Sequence, residues 1–176
     1  MMYKNVISGD ELMKIEFKPE KVEHLTSIGV GIRADIYIGR GKFDNLISLQ
    51  IDVNDKEELI GGLEVGFHAA SPNHIYDYCL GESDKKPVDF DILNEVFPTK
   101  IQRIYVNPAY RDIGIGSYLM SKVINMVDFS DEISNKLIYG YMEPEFGKKD
   151  ALIDFYGRYG FKVNSDDKTL ITRIKN

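Results

Sequence analysis

Cysteine is nearly absent from this sequence of 176 residues, with Cys79 standing alone. No internal disulfide can form, which favours a reducing compartment. Nothing beside Cys79 in sequence suggests an activated thiol, and it reads as a small buried apolar residue. Positive charge is also short. Lys and Arg total 22 against 28 Asp and Glu, a formal charge of −6. That balance argues against a dedicated nucleic-acid binder, which carries a basic surface. It is compatible with a cationic substrate without selecting one. Long apolar runs are missing too. No stretch approaches the roughly 18 uncharged apolar residues of a membrane helix, so no membrane span is expected. Asp10, Glu11 and Glu16 interrupt the N-terminal segment before a signal peptide's apolar region forms. The cytoplasm is therefore the expected location. His68 and His74 lack a third ligand at zinc-site spacing, so no metal is expected, and His24 reads as a surface or boundary residue. With no repeat, low-complexity segment or linker, a single domain over residues 1–176 is the natural expectation.

The most informative stretch is 101–127, IQRIYVNPAYRDIGIGSYLMSKVINMV. Ile101, Ile104, Tyr105 and Val106 favour a strand, and Asn107-Pro108 ends it. Tyr118, Leu119, Lys122, Val123 and Met126 recur at helical spacing. Between them, Arg111-Asp112-Ile113-Gly114-Ile115-Gly116 forms a glycine-spaced turn. A strand, a glycine loop and a helix N-terminus together make an anion site. The first helical turn has unpaired N–H groups and a positive dipole end, and glycine lets an anion approach the backbone. Arg111 could add a fork of donors to a phosphate oxygen. Spacing alone also fits an ordinary strand-to-helix loop with an exposed arginine. The pattern is not the dinucleotide fingerprint, because Leu119 stands where its third glycine belongs. It is not a P-loop, because no Gly-Lys-Ser/Thr follows.

Elsewhere, residues 12–17 read as a first strand and 20–27 as the start of a short helix. Residues 32–38 fit a strand or the end of an irregular helical segment. Residues 43–53 put Leu46, Ser48, Gln50 and Asp52 on one parity and Ile47, Leu49, Ile51 and Val53 on the other, a half-buried strand. Residues 54–56 turn the chain into a return strand at 58–67, where Gly61-Gly62 suggests a bulge or a close backbone approach. Glu64 in that strand faces either solvent or a substrate cleft. Residues 68–99 form a long connection or insertion, with a helical turn from 71 and a short helix at 89–97, suited either to a cleft wall or to surface decoration. Residues 137–142 are a strand. Asp150 is a candidate N-cap for a helix over 151–159, with Gly160 stopping it. Strands at 161–163 and 169–174, with a turn at Asp166-Asp167, complete a mixed α+β or α/β layer in which helices cover a central sheet.

Two features coincide in order. Val106, Pro108, Arg111, Gly114 and Gly116 form one, and Tyr156, Gly160 and Phe161 form the other. Together they resemble the GCN5-related N-acetyltransferase (GNAT) superfamily. That family's pyrophosphate loop reads Arg/Gln-x-x-Gly-x-Gly/Ala after Val-x-Pro, and its late helix often ends in Tyr-x-x-x-Gly-Phe. The resemblance covers roughly residues 101–163, and the hairpin at 43–67 fits the family's early strands. Residues 1–40 and 68–99 match no subfamily pattern. The implied fold is a mostly antiparallel central sheet with helices on both faces.

The resemblance implies acetyl-CoA as acyl donor, with Val106, Arg111, Asp112, Ile113, Gly114, Ile115, Gly116 and Ser117 forming its cofactor-binding set. The pantetheine arm would lie where the strand ending near 106 splays from the strand at 137–142, with Met142 and Glu143 close by. The implied reaction is direct attack of a neutral primary amine, small-molecule or peptide, on the acetyl thioester. Tyr156 matches the general acid, while Phe155 reads as a core aromatic. The strand carboxylate that many relatives use as base is replaced here by Gln102 and Arg103. Glu64 is the substitute of choice, with Asp91, Glu95 and water as further options. Lys148, Lys149 and Asp150 stand where relatives often carry an asparagine. The lysines fit either contact with the adenosine phosphate or plain surface exposure. A homodimer, paired through an edge strand or a helix, is compatible with the resemblance. Two other readings compete with the enzyme. A noncatalytic acyl-CoA-binding or regulatory module would keep the loop and need no base. A mononucleotide-binding module would leave the Tyr156–Phe161 motif a coincidence.

Overall fold

The computed structural model describes residues 19–40, 46–67, 98–133, 137–145, 147–163 and 169–174. The expected strand at 12–17, nearly all of the 68–99 connection and the turn at 166–167 lie outside them. So do His68, His74, Cys79, Asp91 and Glu95. The strands are β1 (Lys21–His24), β2 (Ile32–Arg40), β3 (Leu46–Asp55), β4 (Glu58–Phe67), β5 (Thr99–Val106), β6 (Leu137–Tyr141), β7 (Lys162–Val163) and β8 (Leu170–Ile174). A short 3-10 helix (Pro108–Tyr110) and α1 (Ile115–Phe129) follow β5, and α2 (Lys149–Gly157) follows β6. The eight strands make one sheet in the order β1-β2-β3-β4-β5-β6-β8-β7. Neighbours are antiparallel except β5 and β6, which run parallel. This mixed α/β architecture matches the expected fold class.

The short helix expected from residue 20 is instead β1, paired with β2 from Lys21↔Ile36 to His24↔Arg33. Local helix propensity is weak over so few residues, and cross-strand pairing overrides it. A tight turn, with Gly29 N donating to Leu25 O at 3.0 Å, then feeds β2. Residues 32–38 belong to that strand rather than to a helix. In β3, Leu49, Ile51 and Val53 are buried as the alternation requires, but Leu46 is buried and Ile47 exposed. The register slips between Gly39↔Ser48 and Arg40↔Leu46, leaving Ile47 as an extra residue that inverts the parity.

Gly61-Gly62 marks a close approach beside a bulge. Val53↔Gly61 and Asn54↔Leu59 leave Ile60 unmatched. A Cβ at Gly61 would stand 2.9 Å from Ile115 Cγ2 and 3.3 Å from the Tyr105 carbonyl oxygen, and one at Gly62 would stand 2.7 Å from the Tyr105 ring. The missing side chain at Gly61 therefore lets the start of α1 seat on β4, and the one at Gly62 leaves room for the Tyr105 ring. Gly61→Ala is expected to lower stability by about 1–3 kcal/mol through overpacking, measured by urea unfolding.

Helix α1 buries Ile115, Leu119, Met120, Val123 and Val127. Tyr118 and Lys122 lie on its half-buried flank. There the Tyr118 hydroxyl donates to Glu23 at 2.8 Å and Lys122 Nζ donates to Glu23 at 2.7 Å, tying the helix to β1. Asp150 is not the cap of α2. Lys148 occupies the cap position without a side-chain bond, and Asp150 sits in the first turn, where a carboxylate suits the helix dipole. The helix ends at Gly157, and Gly160 turns the chain at φ +81. Among the described residues, no helix is long and apolar enough to cross a membrane.

Candidate active site

Strands β5 and β6 pair only through Thr99↔Ile138, Lys100↔Tyr139 and Ile101↔Gly140. Past that point β5 stays on β4, reaching Val106↔Gly61, and leaves β6. A bulge lies at the divergence. Glu64 pairs with Arg103 and Val65 with Ile101, so Gln102 is the extra residue. A bulge bends its strand and sharpens its twist, which is what separating β5 from β6 requires. The opening is a cleft of about 1360 Å³.

The loop after β5 shapes one wall. The Asn107 side chain accepts from Ala109 N at 3.0 Å, which fixes the 3-10 turn. Tyr110 OH donates to Asp55 at 3.2 Å, anchoring the loop to the end of β3. Asp112 and Gly114 take φ of 65 and 103. The N–H groups of Ile115, Gly116 and Ser117 precede the first helical bond, Tyr118 N to Gly114 O at 2.9 Å. Val106, Arg111, Asp112, Gly114, Ile115, Gly116 and Ser117 all line the cleft. Ile113 does not line it and is 42% exposed.

Arg111 is not free. Its Nη1 donates to Glu145 Oε2 at 2.9 Å, its Nη2 to Oε1 at 2.6 Å and its Nε to Val106 O at 3.4 Å. The Arg111 hydrogen bond and charge hold the Glu145 carboxyl below its ordinary range, with a smaller contribution from Lys148. Sequence reasoning missed Glu145. It lies 34 residues from Arg111, with no motif around it.

Tyr156 is 4% exposed and lines the cleft, with Phe155 edge-on at 5.3 Å and Phe161 at 5.7 Å between ring centres. Its carbonyl accepts from Tyr159 N at 3.0 Å and Phe161 N at 3.3 Å, and Gly160 supplies the left-handed turn that folds Phe161 back. The Tyr-x-x-x-Gly-Phe spacing thus packs Phe161 against Tyr156. Phe155 is half-buried and also faces the cleft. Burial pushes the Tyr156 phenol up to about 12 from an ordinary 10.0. Because the folded-state value is raised, this stability is full below about pH 10 and is lost as pH rises toward 12. Linkage gives it a size of about 2–3 kcal/mol. Thermal melts across about pH 9–11 are expected to fall less steeply in Tyr156→Phe than in the parent chain.

Glu64 lines the cleft from β4, half-buried, and makes no ion pair among the described residues. Across from it on β5, the Arg103 guanidinium lies 4.4 Å from the centre of the Tyr105 ring. Gln102, Glu143 and Lys148 also face the cleft, whereas Met142 is buried in the core. His24 is exposed. Among the described residues, no group of His, Cys, Asp and Glu is placed to hold a metal ion.

A family model described as an acetyltransferase (GNAT) domain matches residues 73–163. The chain belongs to the GNAT acetyltransferase family. The GNAT fold is shared with NAA60 of Arabidopsis thaliana, solved with a bisubstrate analogue. That structure matches at a TM-score of 0.51 and 18% identity, over 73% of this chain and 77% of that one. The same plant protein solved with acetyl-CoA matches at 0.51 and 18%, over 73% and 76%. The PaiA N-acetyltransferase of Thermoplasma acidophilum, solved with coenzyme A, matches at 0.47 and 16% identity. That match covers 74% of this GNAT chain but only 62% of the Thermoplasma chain's length. No curated protein matches the sequence significantly.

Proposed function

We propose that this GNAT chain transfers the acetyl group of acetyl-CoA to a primary amine, carried by a small molecule or a peptide. One observation carries the reading. The free N-terminus of α1, the divergence of β5 from β6 and the buried Tyr156 all face a single cleft. The residues fit the cosubstrate. Ile115, Gly116 and Ser117 offer unpaired N–H groups, and the nearest atoms to a Cβ position at Gly116 are those of the Phe155 ring, at 3.4 Å. These groups, with Val106, Arg111, Asp112 and Gly114, would hold the pyrophosphate. Past Ile101, the side of β5 that turns from β6 would offer backbone groups to the pantetheine amides.

Acetyl-CoA, when bound, supplies an activated acetyl thioester. Tyr156 lines the cleft, carries its phenolic proton at neutral pH as a tyrosine does, and is the donor to the leaving sulfur. Glu64 takes the role of base toward the incoming ammonium, because it is the cleft carboxylate on the strand beside β5. The single cysteine supports a reducing, cytoplasmic setting.

Gln102 and Arg103, in place of the strand carboxylate, favour one second reading, a noncatalytic acyl-CoA-binding module. Calorimetric binding of acetyl-CoA, followed by a panel of amines with thiol-release readout, separates them. Transferase activity predicts saturable binding and thiol release that depends on the amine. Binding without release on any amine supports the noncatalytic module, and absence of saturable binding overturns both.

A further inference from the structure

The salt bridge between Arg111 and Glu145 spans the cleft. Arg111 stands on the loop between β5 and α1, Glu145 on the loop between β6 and α2, and both side chains line the space between. A guanidinium binds a carboxylate and a phosphate through the same two-pronged fork. Both Nη atoms are committed to Glu145, at 2.9 and 2.6 Å. A phosphate cannot take that fork until Glu145 lets go.

Resting on the acetyl-CoA reading, we propose that Glu145 is a built-in competitor for the pyrophosphate, a carboxylate that occupies Arg111 in the empty cleft and yields it to the entering cofactor. Two features suit an exchange rather than a permanent bridge. The pair is solvent-exposed, with side-chain exposures of 38% and 56%, so holding it is weakly favourable. Glu145 also has a second cation at hand. Lys148 lines the same cleft, its N–H donates to the Glu145 carbonyl at 2.9 Å, and its charge already bears on the Glu145 carboxyl. On release, Glu145 passes to Lys148 and Arg111 to phosphate, so no charge is left unpaired. Glu145 thereby sets the threshold for entry, because a ligand must offer enough anionic oxygen to outbid a carboxylate.

Calorimetric titration of coenzyme A at fixed ionic strength into the parent chain, Glu145→Gln, Arg111→Gln and the double variant tests this, with thermal melts checking that each is folded. Glu145→Gln is expected to bind about two- to fivefold tighter, the range set by an exposed ion pair. Arg111→Gln is expected to bind about tenfold weaker or worse. Adding Glu145→Gln to Arg111→Gln is expected to bring no tightening. Unchanged or weaker binding by Glu145→Gln would overturn the proposal and make Glu145 a support for Arg111. Equal tightening with and without Arg111 would also overturn it, by reducing the effect to removal of a nearby negative charge. Failure of the parent chain to bind coenzyme A would sink the cofactor reading itself, a result distinct from either variant outcome.

Discussion

Replacing Tyr156 by phenylalanine is expected to lower kcat by about 100-fold while leaving coenzyme A affinity within about twofold. Only the hydroxyl is removed. The ring contacts with Phe155 and Phe161 survive, so the wall of the cleft keeps its shape. The leaving thiolate needs a proton, and the Tyr156 phenol on the cleft wall carries one at neutral pH. Steady-state rates on any confirmed amine, paired with binding by calorimetry, separate loss of a proton donor from loss of a binding contact. Full turnover by Tyr156→Phe would remove the acid role and leave Tyr156 as a packing residue.

Arg173→Met is expected to cost about 3–5 kcal/mol of stability, read by urea unfolding. Arg173 and Asp128 are 14% and 8% exposed at their side chains and pair through both oxygens, at 2.9 and 2.7 Å. The Arg173 Nε donates to Tyr159 O at 3.0 Å. One guanidinium on β8 thus ties the end of α1 to the turn behind Tyr156. Asp128 stands in the last turn of α1, where the helix dipole opposes a negative charge, and the arginine offsets that charge. Removing Arg173 leaves a part-buried carboxylate without its guanidinium. Adding Asp128→Leu is expected to recover most of the loss, because an apolar pair carries no desolvation penalty. A loss below about 1 kcal/mol would contradict this account of the pair.

What was legible in the sequence is what local chemistry dictates. Alternation and turn residues delimited β4 as Glu58–Phe67, and β-propensity followed by helical spacing located β5, the loop and α1. Glycine spacing and the Tyr156–Phe161 motif point to residues that line one cleft, and of the two sides open to Glu64 in the sequence, solvent or cleft, the structure has the cleft. What was not legible depends on partners distant in the chain. β1 is a strand because β2 lies beside it, and Ile47 reverses parity because of a slip against Gly39 and Arg40. The Gln102 bulge that opens the cleft is a mismatch between β4 and β5. Glu145 and Asp128 meet their arginines across 34 and 45 residues. A carboxylate at Asp150 suits both a helix cap and the first turn that it occupies, so local chemistry does not separate the two.

The central claim is that the N-terminus of α1, opened by the divergence of β5 from β6, receives the pyrophosphate of coenzyme A. Backbone amide NMR during titration with coenzyme A tests it at the atoms concerned. The account predicts saturating shifts at one equivalent, largest at the N–H groups of Ile115, Gly116 and Ser117. Shifts concentrated elsewhere in the sheet, or no saturation, would contradict it.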